Sequence, residues 1–277
     1  MYKLNSKKNI KQKGFNLIEL MIASMLGIIV TGGAISMYIS SIKASADIAK
    51  SARLNYDLDT TMQLMINDIR RAGYWGGAQI STTNDNLFLL KNPFSAADTT
   101  LSMNTAGDCI LYSYDVDDGD NTTNPDLPDG IVNNDEYYGF KLVQDTDGIG
   151  VIKIRQALKT TNDCDNDSGS WEAITDPDTI DVTYLKFSFL PITAQTATNT
   201  HPALPALIAT SRCLNSSTNP AEYTNSITCA TENSGHYIAQ RRIVNIHLSG
   251  YVKGDNDVLK SLSTTVQVRN DRLYQAP

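Results

Sequence analysis

The sequence predicts an α+β protein in which one long N-terminal helix covers one face of an antiparallel β-sheet domain. Three observations carry this. From Leu20 to Ile42 run 23 residues without a charge, ending at Lys43. Beyond that run, apolar residues recur at three- and four-residue steps until about Ala72-Gly73. After Gly73 the hydrophobic period falls from about 3.6 to 2, and clusters of Asp, Asn, Gly and Pro divide the chain into short strand-like runs.

The uncharged run comes first. As a helix rising about 1.5 Å per residue it spans roughly 35 Å, enough to cross a hydrocarbon core of about 30 Å with some tilt. The leader before it carries Lys3, Lys7, Lys8, Lys11 and Lys13 and no acid. The positive-inside rule keeps that end in the cytoplasm and exports the rest. An ordinary secretory signal has a shorter core followed by a small-residue cleavage site. Here the core is long and Glu19 stands at its start. A carboxylate at that depth is disfavoured unless something pairs with it, which makes Glu19 a functional candidate. A plain signal anchor leaves Gly14 and Glu19 unexplained.

From Ala44 the helix becomes amphipathic. Leu58, Met62, Met65, Ile66 and Ile69 share one face, whereas Asp57, Asp59, Asn67, Asp68 and Arg70 are expected largely on the other. Arg70 and Arg71 suit the dipole of the last turn, and Gly73 suits its termination. One helix is therefore expected from Phe15 to about Ala72. Tyr74 and Trp75 are expected to be core aromatics that pin the helix end to the sheet, with an interface patch as the other reading. Gly32-Gly33 weakens the middle of the helix by roughly 1 kcal/mol per glycine relative to alanine. Close helix packing in a membrane explains the pair, and so does a segment that loosens on leaving it.

The strand-like runs are 109–114, 137–143, 151–158, 182–190, 241–251 and 262–268. In the fourth, Val182, Tyr184, Lys186 and Ser188 alternate with Thr183, Leu185, Phe187 and Phe189, the pattern of a half-buried strand.

Charge restricts the function classes. The chain carries −7 at neutral pH; without residues 1–14 it loses five lysines and no acid, leaving 18 basic against 30 acidic residues, a net −12. That balance argues against nonspecific nucleic-acid binding. Roughly 200 residues lie outside the apolar helix, enough for one globular domain with a real core. No internal repeat is visible. All four cysteines lie in the exported part, where disulfides are the first reading. Three pairings are open. Cys213–Cys229 closes a short Asn/Ser/Thr-rich loop, which leaves Cys109–Cys164, and this sequential pairing is preferred. None forms a C-x-x-C pair and the three histidines are scattered, so no zinc pattern exists.

Gly14-Phe15-Asn16-Leu17-Ile18-Glu19-Leu20 resembles the class III signal of type IV pilins and type II secretion pseudopilins. The resemblance implies a type IV pilin-like fold. It also implies cleavage after Gly14 by a prepilin peptidase, N-methylation of the new N-terminal Phe15, and a role for Glu19 as intersubunit partner of an N-terminal amine. Many pilins have threonine or serine where this chain has Asn16. Residues 1–14 are then a leader, 15–42 a transmembrane and filament-core helix, 43–73 its amphipathic half, and 74–277 a β-rich periplasmic domain. Asp68-Ile69-Arg70-Arg71-Ala72-Gly73-Tyr74-Trp75-Gly76 is similar to the helix end of PilW-type minor pilins. The segments 108–115, 138–142, 171–176 and 264–270 resemble that family's sheet, while 193–234 resembles none of it. The family implies assembly in the inner membrane followed by placement in a surface pilus. Its partners would be the major pilin, other minor pilins, the prepilin peptidase, the inner-membrane assembly platform and a pilus-tip adhesin. Two other roles fit the same residues: a J-type pseudopilin, or an adhesive subunit that binds through 193–234.

One segment has the composition of an ion site. Asp129, Gly130, Asn133 and Glu136 fit the back half of a calcium loop, but Pro125 and Leu127 stand where its front oxygen ligands belong. Asp115, Asp117 or Asp120 would have to supply them from a neighbouring turn. A solvated hairpin loop uses the same residue types for turn geometry. Calcium is the only cofactor these residues suggest. With no nucleophile elbow, phosphate loop or paired-histidine site, no enzyme is expected.

Overall fold

The computed structural model describes residues 14–76, 92–96, 99–116, 128, 130–156, 164 and 170–277. The chain divides into two compact units, Met1–Ala49 and Lys50–Pro277. Helix α1 (Leu17–Ile69), 53 residues long, supplies residues to both. In the first unit every described residue is exposed. Among the described residues α1 is the one helix long and apolar enough to cross a membrane.

In the second unit α1 buries Leu54, Leu58, Met62, Met65, Ile66 and Ile69, as the three- and four-residue spacing predicts. Asp68 departs from its expected solvent face: it is 8% exposed and points into the core. The α-helix ends at Ile69, about three residues early. Arg71 and Ala72 donate their N–H groups three residues back, to Asp68 and Ile69, a tighter last turn that leads into Gly73 at φ +75°.

The strands form three antiparallel sheets. The first is a meander in chain order: β1 (Ser102–Met103), β2 (Cys109–Ser113), β3 (Tyr137–Gln144), β4 (Gly150–Gln156) and β5 (Ser170–Ala173). The second orders β11 (Asp255–Gln267), β10 (Ile243–Val252) and β6 (Ile180–Ser188). The third orders β12 (Arg272–Gln275), β9 (Tyr237–Arg241), β7 (Arg212–Asn215) and β8 (Glu222–Thr224). One core joins the buried face of α1 to Ile110 and Tyr112 of β2, Phe140 of β3, Ile152 of β4, Phe187 of β6 and Ile246 of β10. A second, smaller core holds Cys213, Cys229, Ile238 and Ala276. Cys109 is bonded to Cys164 and Cys213 to Cys229.

Three strand expectations shift. The run 241–251 divides at Arg242, because the chain leaves the third sheet after β9 and enters the second with β10. Strand β11 begins at Asp255 rather than Leu262, since its hairpin with β10 turns at Lys253-Gly254. In β6, strict alternation would put Val182 on the face opposite Leu185 and Phe187. A bulge corrects this: Ser249 pairs with Tyr184 and Gly250 with Val182, leaving Thr183 extra. Val182, Leu185 and Phe187 thereby all reach the core.

Candidate assembly interface

Gly14 and Phe15 stand just before α1 and Glu19 in its first turn. The Leu20 N–H donates to the Asn16 carbonyl at 3.1 Å, which starts the helical ladder. A carboxylate in the first turn is favoured by the partial positive charge of the helix N-terminus. Phe15 is 78% exposed, and large apolar side chains stay exposed as far as Ile42. The hydroxyls of Ser24, Thr31, Ser40 and Ser45 donate to carbonyls three or four residues earlier. These four hydroxyls are therefore satisfied within the helix itself. A Cβ added at Gly27, Gly32 or Gly33 would meet nothing within 4 Å. Nothing described in this chain requires those glycines to be small.

The C-terminal end of α1 is held by a polar cluster that sequence reading missed. The Asp68 carboxylate accepts hydrogen bonds from the Tyr112 hydroxyl at 2.7 Å and the Tyr114 hydroxyl at 2.6 Å. Arg71 lies 3.6 Å from Asp68 and 4.8 Å above the Tyr114 ring, and Tyr114 stacks on Tyr138 at 4.2 Å. Burial, followed by the Asp68 charge, pushes both the Tyr112 and the Tyr114 hydroxyl well above the ordinary tyrosine range. The carbonyls left open at the helix end find partners too. Arg70 accepts from the Arg269 N–H at 3.0 Å, and Arg71 and Ala72 accept from Asn270 Nδ2. Arg242, 1% exposed, donates to Thr100 Oγ1 and the Asn270 carbonyl. Burial lowers its guanidinium to about 10, so it remains charged at neutral pH. A Cβ at Gly73 would stand 2.8 Å from Arg242 Nη2, a second reason for glycine there. Tyr74, expected in the core, is 41% exposed, because Asp68, Arg242 and Asn270 hold the helix end instead. Trp75 is half-buried and donates to the Gly130 carbonyl at 3.0 Å.

The described residues of the acidic loop are brought together. Asp115 Oδ2 accepts from the N–H groups of Gly76 and Gly130. Glu136 Oε1 accepts from the Val116 N–H and Oε2 from the Asn133 N–H. Both carboxylates are buried and act as staples for loop backbone. Asp117, Asp120 and Asp129 lie outside the described residues. Among the described residues no group of three or more His, Cys, Asp and Glu is placed to hold a metal.

The segment 193–234, unplaced by sequence, acquires order from the bridges Ile192–Leu207 and Gln195–Leu204 and from β7 and β8. A family model described as PpdB, prepilin peptidase-dependent protein B, matches residues 47–268, from the exposed part of α1 through β11. No curated protein and no solved structure matches the chain.

Proposed function

The chain belongs to the prepilin peptidase-dependent protein B family, a type IV pilin- or pseudopilin-related protein, and on that premise we propose that it is a PilW-type minor pilin that helps to initiate the type IV pilus. The observation that carries the reading is the exposed apolar helix headed by Gly14, Phe15 and Glu19 and continued into a separately cored β domain. The prepilin peptidase cuts after Gly14 on the cytoplasmic side, and the Phe15 amine is methylated. Glu19 then faces an N-terminal amine of a neighbouring subunit. In a low-dielectric helix bundle a lone carboxylate is costly, and a paired one orients the two chains.

Initiation requires several apolar helices to leave the membrane together. A small set of minor pilins, preassembled through their helices near the future tip, lowers that barrier by making the first contacts in the bilayer. The chain does this without catalysis: its chemistry is insertion, cleavage, extraction and nucleation. A deletion strain scored for surface pili, twitching and protein secretion tests the role. The expected strain has few pili and no twitching but near-normal major pilin in its membrane, and blocking retraction restores some fibres. Normal pili with failed secretion would assign the chain to a secretion pseudopilus. Normal pili with lost attachment would make it an adhesive subunit acting through 193–234.

A further inference from the structure

The third sheet has an unusual outer face. Its inner face is covered by the chain's own second core. A sheet covered on one side normally turns polar residues outward. Here a straight cross-strand row, Leu273–Ala239–Leu214–Tyr223, crosses all four strands in register on the outer side. Leu214 is 38% and Tyr223 55% exposed. Beside this row Arg212 of β7 lies directly opposite Arg241 of β9. Like charges in that position destabilise a sheet. Among the described residues the pair meets one carboxylate: Asp271 approaches Arg241 at 3.7 Å, while Arg212 lies 5.9 Å from the Tyr223 ring centre and has no ion partner. These residues line a depression of about 310 Å³, large enough for one or two side chains.

We propose that this face docks a neighbouring protein subunit that presents a carboxylate flanked by apolar side chains. The carboxylate sits between Arg212 and Arg241 and relieves their repulsion, and the apolar groups cover Leu214, Ala239 and Tyr223. Charge selects the partner: on a chain that is strongly acidic overall, two facing arginines with one exposed carboxylate between them, beside an apolar row, define an anion-seeking patch. The surface is separate from α1, so the inference stands apart from the helix-led reading above.

The test uses the full chain in its own membrane with a photoreactive phenylalanine at position 223 and, as control, at exposed Asp147. Irradiation at 223 should yield a cross-link to a second protein, and the captured peptide should contain Asp or Glu beside apolar residues. Arg212→Glu should reduce that cross-link at least about tenfold, the loss expected when a charge pair at an interface is broken. Arg212→Lys should retain most of it. Arg212→Glu also converts a repulsive cross-strand pair into an attractive one, so its thermal unfolding should be unchanged or raised. A lost cross-link therefore reports docking and not misfolding. Equal yields at 223 and 147, a cross-link undiminished by Arg212→Glu, a captured peptide without acid, or one from a second copy of this chain would each overturn the proposal.

Discussion

Removing the Asp68 carboxylate should unfasten the helix from the sheet domain. It is a buried acceptor in the last turn of α1, where the helix dipole opposes negative charge. It is retained there by Tyr112 at 2.7 Å and Tyr114 at 2.6 Å. Each hydrogen bond to an ionised acceptor contributes about 1.5–3 kcal/mol. The Arg71 contact at 3.6 Å adds less than about 1 kcal/mol, because that side chain is largely exposed. Asp68→Ala leaves the hydroxyls of Tyr112, 0% exposed, and Tyr114, 4% exposed, with no acceptor at this position, so the expected loss is about 4 kcal/mol. For a unit of this size that lowers the melting temperature by about 10 °C. Asp68→Asn keeps one acceptor oxygen and should lose about half as much. Removing both partners of a buried bond costs less than removing one, so Tyr112→Phe in the Asp68→Ala background should cost less than it does alone. Urea unfolding of the full chain in detergent, followed by near-ultraviolet circular dichroism of the tyrosines, measures all four. A loss under about 1 kcal/mol for Asp68→Ala, or additive effects in the cycle, would refute the reasoning.

Three further outcomes are expected at this cluster, at Glu19 and at the acidic loop. Tyr112 and Tyr114 titrate higher folded than unfolded, so the stability they contribute is complete below pH about 10 and declines as pH rises past it, by up to about 1.4 kcal/mol per unit for each; the urea midpoint should fall from pH 9.5 to 11 and fall less in the double phenylalanine variant. Glu19→Val should be cleaved normally yet be depleted from sheared pili, and wild-type recovery would remove the pairing role from Glu19. A calcium site that includes Asp115, Asn133 and Glu136 should raise thermal stability by about 2.7 kcal/mol at a hundredfold excess over Kd, and Glu136→Ala should abolish the increment; identical unfolding of the unmutated chain in calcium and chelator would leave these carboxylates as loop staples alone.

The long helix was legible because its signals are local. Leu58, Met62, Met65, Ile66 and Ile69 fall on one stripe and are all buried, and Gly73 marks the exit with a positive φ. Asp68 was not legible as a core residue, because periodicity assigns a charge to solvent. The signal lay in its spacing from Met65 and Ala72 and in the tyrosines at 112 and 114, whose hydroxyls donate to it only through tertiary pairing. Strands β2, β3, β6 and β10 showed in their apolar, aromatic and β-branched runs bounded by turn residues. Strands β7, β8 and β12 did not, since three or four residues hold too few alternations to define a period. The bulge at Thr183 was hidden for a related reason: it reverses the inward face within one strand, and only the register with Ser249 and Gly250 exposes it. Of the site residues, Gly14, Phe15 and Glu19 are read from one short motif at the border of charge and apolarity. The arginines of the third sheet lie far apart in sequence and meet only through strand pairing.

Processing of the N-terminus separates a pilin from a plain membrane-anchored protein most directly. Mass spectrometry of the chain isolated from cells that contain a prepilin peptidase should find a mature protein beginning at Phe15, with a methyl group on its amine. A chain that begins at Met1 in those cells, or one cut after the apolar run near Ile42, would contradict it.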